Sequence, residues 1–446
     1  MNRKILSLAL PNIITNITVP LLGMVDTAIV GHLSQSHIGA IAIGTQIFNL
    51  IYWNFGFLRM GTSGFTAQAF GARSLDEAAR VFVRAFAIAI AIAAMLLVLQ
   101  RPIALLSELV FNGSAPVLAM ALSYFYVRVW AAPATLGLYA VKGWFIGMQN
   151  SRLPMWIAIF INVVNILCSL LFVLVFHWDI KGVALGTVIA QYSGLAVGLF
   201  FLVTRYGKVF RKRLTVTFVR QTLRWESMRH FFHVNGDIFL RTVCLAAVFT
   251  FITAESGRIS DEILAVDALL MQFFMLFSYI MDGFAYAGES LVGRYIGARD
   301  RRSLVSAVRH LLVWGLLLTV SFTVVYALFG DNILRIFSDK PAIIDATRPY
   351  LFWTLVIPVC GFAAFLFDGI FVGATASRTM RNSMFIATAA FFGIYYLLLH
   401  HYASLPSFTD FRWNNILWLS FMVYLTARGI TQATMLRRSV YSKADT

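Results

Sequence analysis

From residue 5 to residue 435 the chain returns repeatedly to apolar stretches of about twenty residues or more, and that pattern decides its class. A helix rises 1.5 Å per residue, so about twenty residues cross the ~30 Å hydrocarbon core of a bilayer. In that medium every backbone N–H and C=O must be bonded within the protein, which leaves helices or a closed barrel. Stretches this long and this apolar select helices. Twelve spans are predicted, at roughly 5–33, 38–62, 78–99, 115–148, 153–176, 182–204, 229–254, 263–288, 304–329, 346–373, 381–402 and 413–435. The composition agrees: of 446 residues 59% are hydrophobic and only 13% charged, against about a quarter charged in soluble chains. The first span follows Arg3-Lys4, exceeds a signal-peptide core and lacks a small-residue cleavage site, so it is read as retained.

The net charge of +16 has a topological explanation. Of 36 Lys and Arg, 24 fall in or beside the N-terminus, the even-numbered loops and the C-terminal tail, and 7 in the odd-numbered loops. The positive-inside rule then puts both termini in the cytoplasm and makes a nucleic-acid partner unnecessary. The longest polar break, from Arg205 to Arg229, carries eight cations, Arg211 and Lys212 among them, against one acid, Glu226. It reads as a basic linker on the anionic cytoplasmic leaflet. Cys168, Cys244 and Cys360 all lie inside spans without paired spacing, so they are small buried hydrophobes rather than disulfides or metal ligands. His230, His233, His400 and His401 lie near interfaces with no acid or cysteine companions.

A shift of 226 residues brings the two sides of the linker into register. Thr27-Ala28, Gly31 and Ser34 fall on Thr253-Ala254, Gly257 and Ser260. Gln46 falls on Gln272, and Gly71-Ala72-Arg73 on Gly297-Ala298-Arg299. Gly143, Gly147, Ser151 and Arg152 fall on Gly369, Gly373, Ser377 and Arg378. One gapless offset across several helices implies duplication. The expected fold is all-α and integral to the membrane, with twelve transmembrane helices in two homologous six-helix lobes related by a pseudo-twofold along the membrane normal. The expected boundaries are an N-lobe at 1–204, a linker at 205–228 and a C-lobe at 229–446.

Ionisable residues inside spans are the candidate chemistry, because a charge at the bilayer centre costs about 2.5–3.5 kcal/mol on insertion scales. Asp26 in the first span shares a helical stripe with Asn12, Asn16 and Gly23, with Pro11 at its foot to bend the helix. Lys142 in the fourth span either pairs with an acid such as Asp26 or snorkels to the cytoplasmic headgroups; Arg59 and Arg128 read as packing charges. In the second half, Asp237 and Arg241 are spaced to pair within one helix. Asp282 and Glu289 share a face, Asp267 lies earlier in that span and Asp368 lies in the tenth. These acids either face a cleft or form an internal network with Arg241 and Arg294. Gln46, Gln272, Phe48, Tyr52, Trp53 and Phe274, with Phe273, Phe277 and Tyr279 nearby, complete the candidates for a cleft that holds flat cations by stacking and cation–π contact.

These residues resemble the multidrug and toxic compound extrusion (MATE) family. The resemblance rests on Pro11, on Val25 through Gly31 around Asp26, and on Gly71-Ala72-Arg73. The second half resembles its DNA-damage-inducible-F (DinF) branch in Asn235 through Thr242, Asp282 through Gly293 and Phe367 through Gly373. The resemblance covers nearly the whole chain. It implies cation-coupled export, with Pro11 as the bending proline, Asp26 as the cation-binding carboxylate, and Asn165 and Thr187 lining the same N-lobe cavity. Many relatives carry an acid where this chain has Ser169, and one carboxylate among neutral oxygens favours a proton over Na⁺.

The function expected is therefore a proton-coupled antiporter of amphiphilic or cationic small molecules, working by alternating access from the plasma membrane. No cofactor is expected. The partners are the substrate and membrane lipids, without nucleic acid, and the chain is expected to act as a monomer. A flippase of lipid-linked saccharides would keep the architecture but demand a strongly cationic cavity. A membrane transferase would need paired acids for Mg²⁺-pyrophosphate or an intramembrane His, Cys or Ser centre. The sequence has no Asp-Asp-x-x-Asp run and no nucleotide-binding Gly-x-x-x-x-Gly-Lys-Ser/Thr loop.

Overall fold

The computed structural model describes residues 1–31, 35–111, 114–210, 213–402 and 409–445. Ser34 of the repeat and Arg211 and Lys212 of the linker lie outside the described residues. The chain resolves into two compact units, Leu10–Asn235 and Met1–Ala9 with Gly236–Thr446. Among the described residues all regular structure is helical.

The first unit is built from α1 (Asn2–Gly31), α2 (Gln35–Asn54), α3 (Phe57–Gly71), α4 (Leu75–Val98), α5 (Gln100–Val110), α6 (Ala115–Arg128), α7 (Ala132–Gly147), α8 (Arg152–Leu170), α9 (Asp179–Phe210) and α10 (Val216–Thr222). The first turns of α1, through Ala9, belong to the other unit. The second span is α2 and α3, interrupted at Phe55-Gly56, and the fourth is α6 and α7 joined by a 3₁₀ turn at Val129–Ala131. Pro133 starts α7, where its missing N–H is harmless. Trp144 lies at the heart of this unit, fully buried against Phe82, Tyr206 and Phe210, and its indole donates to the Ala78 carbonyl at 2.9 Å.

The second unit contains α11 (Trp225–Ile259) from Gly236 on, α12 (Asp261–Gly297), α13 (Arg301–Phe337), α14 (Pro341–Thr347), α15 (Leu351–Gly373), α16 (Ser377–Tyr402) and α17 (Asp410–Ser439). The helices outrun the apolar stretches because they are capped beyond them: Ser260 accepts from the Ile263 N–H and Asp300 from the Ser303 N–H. Eleven described helical stretches are long and apolar enough to cross a bilayer. The twelfth expected span is α17, whose hydropathy is diluted by Asp410, Arg412, Arg428, Arg437 and Arg438.

The 226-residue repeat holds in atomic detail. Arg73 and Arg299 (φ 56° and 54°), and Gln149 and Thr375 (φ 62° and 49°), take the left-handed conformation at equivalent helix ends. A Cβ on Gly143 of α7 would lie 2.4 Å from the Arg59 carbonyl of α3; one on Gly369 of α15 would lie 2.1 Å from the Ala285 carbonyl of α12. Gly147 meets Ser63 and Gly373 meets Glu289 in the same way. Both the glycines and the backbones they touch are 226 residues apart, so each unit carries the same small-xxx-small contact.

Candidate functional site

In the first unit α1 runs unbroken through Pro11 and Pro20, which leave the Ser7 and Asn16 carbonyls without their helical donors. Side chains of α8 and of the turn before it hold this helix. Asn162 donates to the Thr18 carbonyl at 2.9 Å, and Asn12, 1% exposed, donates to Ser151 at 3.0 Å. Asp26 lies further along α1 and is 3% exposed. Its Oδ1 is buried with no hydrogen-bond partner among the described residues.

Two further oxygens share that condition. Asn165 Oδ1 and Ser169 Oγ, one turn apart on α8, are buried without partners. Ser169 stands beside Asp26. Asn165 uses its amide to donate to Thr187 Oγ1 on α9 at 3.0 Å, while Thr187 itself donates to the Val183 carbonyl at 3.2 Å. Gly186 permits the arrangement, since a Cβ there would come within 2.7 Å of Ser169 Oγ. Asp26, Asn165, Ser169 and Thr187 thus gather at one place, and all four are buried.

Lys142 does not join them. It is half-buried on α7, and the cation whose charge acts on Asp26 is Arg128, at the end of α6. Arg128 hydrogen-bonds Tyr124 Oη and lies 4.8 Å from the Phe48 ring centroid and 5.4 Å from that of Tyr124. The sequence reading set Arg128 aside as a packing charge; the signal it passed over is that the rule for intramembrane acids applies equally to cations. Phe48 is 1% exposed, stacked on Tyr52 at 5.6 Å and Phe125 at 5.4 Å, whereas Trp53 is 43% exposed and Gln46 lies exposed on α2.

In the second unit Asp237 and Arg241 do not pair with each other, as their spacing allowed. Each finds a partner on another helix. Asp237 takes Arg381 Nη1 at 2.7 Å and the Ser377 hydroxyl at 2.8 Å. Arg241 binds Asp368 of α15, which also accepts from Arg428 at 2.5 Å and Gln432 at 3.0 Å, both on α17. Asp368 is 5% exposed and its partners are 7%, 2% and 1% exposed, which makes this the buried ionic centre of the unit. Arg294 lies 5.9 Å from the centroid of the Tyr295 ring. Asp282, half-buried and reached by Ser278 at 3.4 Å, is close enough for its charge to act on Arg428.

Asp267, 3% exposed, is held by neutral donors: Trp418 at 2.7 Å, Asn414 at 2.9 Å and the Ser256 hydroxyl. Glu289 is 1% exposed where α12 meets Gly373. Phe274 is buried among Phe249, Phe365 and Phe421, Phe273 and Phe277 are fully buried in the same unit, and Gln272 is exposed on α12. Arg428, Gln432 and Trp418 of α17 are site residues that the sequence patterns did not single out.

Two duplicated helical bundles crossing a membrane, with a buried carboxylate among unpaired oxygens and a buried ionic centre, define a polytopic transporter. The chain belongs to the MatE family: the family model matches residues 11–171 and 238–397, the second match beginning 227 and ending 226 residues after the first. It is therefore a multi-pass membrane protein of a transporter family, not an enzyme, and needs no cofactor. DNA damage-inducible protein F of Escherichia coli K12 is 36% identical over 432 residues, covering 97% of this chain and 91% of that protein. A probable multidrug resistance protein NorM of Thermotoga maritima is 22% identical over 360 residues, covering 78% and 75%. Among solved structures, MATE in the bent conformation superposes with a TM-score of 0.86 at 16% identity, covering 100% of this chain and 97% of that one. The outward-facing conformation of a multidrug resistance MATE family transporter of the MOP superfamily gives 0.82 at 17%, covering 99% and 96%. At these identities the likeness establishes the two-lobe, twelve-helix fold.

Proposed function

We propose that this chain is a secondary-active, proton-coupled antiporter that exports amphiphilic or cationic small molecules by alternating access, with Asp26 as the coupling carboxylate. One observation carries the reading: Asp26 is buried beside the Ser169 hydroxyl, and its Oδ1 and Asn165 Oδ1 have no donor among the described residues, although buried polar atoms are normally bonded. A proton arriving there removes the charge of Asp26 and supplies a donor to oxygens that lack one. Loss of that charge alters what holds α1, and Pro11 is the place where the helix can bend in response. Asn165 and Thr187 position the site, and Ser169 in place of an acid leaves it a single carboxylate. The second unit, around Asp368, Arg241 and Arg428, serves as a charged scaffold, and the cleft candidates Asp237, Asp267, Asp282, Glu289, Gln46, Gln272, Phe48, Tyr52, Trp53 and Phe274 remain assignments for mutagenesis. The distribution of Lys and Arg supports cytoplasmic termini and a plasma-membrane location.

The names of the relatives, multidrug resistance proteins among them, support drug-like cargo. The test is ethidium efflux from reconstituted vesicles, under a proton gradient and then under a sodium gradient alone. Proton-driven efflux that disappears in Asp26→Asn is the expected result. Efflux that survives the substitution, or that sodium alone drives, overturns the reading.

A further inference from the structure

We propose that Arg128 is the resident counter-cation of the coupling site: it stands electrostatically where a bound Na⁺ would, and so reserves Asp26 for protons. The inference rests on the reading of Asp26 as the coupling carboxylate and adds what selects its ion. The oxygens alone do not exclude sodium, since a carboxylate, an amide oxygen and a hydroxyl without partners are the hard donors an alkali cation takes. What tells against sodium is the neighbouring charge. Arg128 is fixed rather than free to snorkel, because it hydrogen-bonds Tyr124 Oη and lies 4.8 Å from Phe48 and 5.4 Å from Tyr124, both rings fully buried. Those two rings pack in one cluster with Val25 and Ile29, which flank Asp26 on α1, so the guanidinium stands on the side of the carboxylate; no salt bridge between the two forms among the described residues, and the carboxylate stays available.

Around Asp26, α6 contributes Arg128 and the Tyr124 phenol, α2 the Tyr52 phenol and the Phe48 ring, α8 the neutral Asn165 and Ser169, and α9 the neutral Thr187. Of these described side chains Arg128 carries the fixed charge. With Asp26 ionised the site is neutral overall, and Na⁺ would add a second positive charge in a medium that screens poorly. A proton instead neutralises Asp26 and leaves Arg128 unbalanced. A cationic cargo is then repelled from the loaded site, the sense that antiport requires.

The test uses the purified full-length protein in mild detergent, following its thermal midpoint in NaCl, KCl or choline chloride at fixed ionic strength. The wild type is expected to show no sodium-specific shift. Arg128→Gln gains a saturable one; Arg128→Lys does not, and Arg128→Gln with Asp26→Asn loses it. Gain of an ion response is a readout that a merely structural role for Arg128 would not produce. A sodium-specific shift in the wild type that Asp26→Asn abolishes overturns the proposal, as does a folded Arg128→Gln protein indifferent to sodium. Should Arg128→Gln fail to fold, Arg128→Met carries the same two outcomes. The reading of Asp26 fails separately, by proton-driven efflux persisting in Asp26→Asn.

Discussion

Replacing Gly369 by Ala tests the packing that the duplicated architecture depends on. A Cβ at that position would sit 2.1 Å from the Ala285 carbonyl oxygen, 2.6 Å from its carbon and 2.7 Å from its Cα. All three are backbone atoms, so no side chain can rotate out of the way. Ordinary contact begins near 3.4 Å, so α15 must retreat from α12 by about 1.3 Å where the two pack most closely. Overpacking of this kind costs about 1–3 kcal/mol, and a rigid backbone neighbour argues for the upper end. Against it stands the helix-propensity gain of Gly→Ala, about 1 kcal/mol. The net expectation is a loss of about 2 kcal/mol. Gly393, in α16, is the control, since nothing lies within 4 Å of a Cβ there. Gly393→Ala is expected to be neutral or to stabilise by up to about 1 kcal/mol. Unfolding by dodecyl sulfate in mixed micelles, followed by tryptophan fluorescence, reads both variants on one scale. Equal stability of the two proteins would refute the close approach of α12 and α15.

The buried ionic centre makes a second prediction. Asp368→Asn leaves Arg241 and Arg428 without their carboxylate and costs about 3–5 kcal/mol in the same unfolding assay. Adding Arg241→Gln recovers part of that loss, and strictly additive losses would contradict a coupled network. At the start of α13, Ser303 donates through its hydroxyl and its backbone N–H to Asp300 and holds that carboxyl below the usual 3.8. The cap therefore stabilises above about pH 4 and is lost as pH falls through the lowered folded value. Asp300→Ala should cost about 1 kcal/mol at pH 7 and nothing measurable near pH 2, with an unchanged pH profile as the contrary result.

Much of the fold was legible because two strong signals do not depend on tertiary contacts. Long apolar runs have one helical solution in a bilayer, and the 226-residue offset survives as matching glycine contacts and matching left-handed residues. Asp26 stood out because an acid in hydrocarbon demands an explanation. Charge partners were harder to read. Asp237 and Arg241 have ideal spacing on one helix, yet helices packed side by side offered Arg381 and Asp368, whose approach no local pattern encodes. Arg128 was hidden for the same reason: its importance comes from the rings of Phe48 and Tyr124 and from a helix one hundred residues away. The twelfth helix was found by length, but its buried Arg428 and Gln432 look in sequence like dilution of an apolar span.

The most direct test of Asp26 as the coupling group is a count of protons exchanged when cargo binds. In lightly buffered detergent solution, a pH indicator should report about one proton released per substrate bound by the wild type, and none by Asp26→Asn at substrate concentrations that still saturate it. Equal proton release from both proteins would contradict the account.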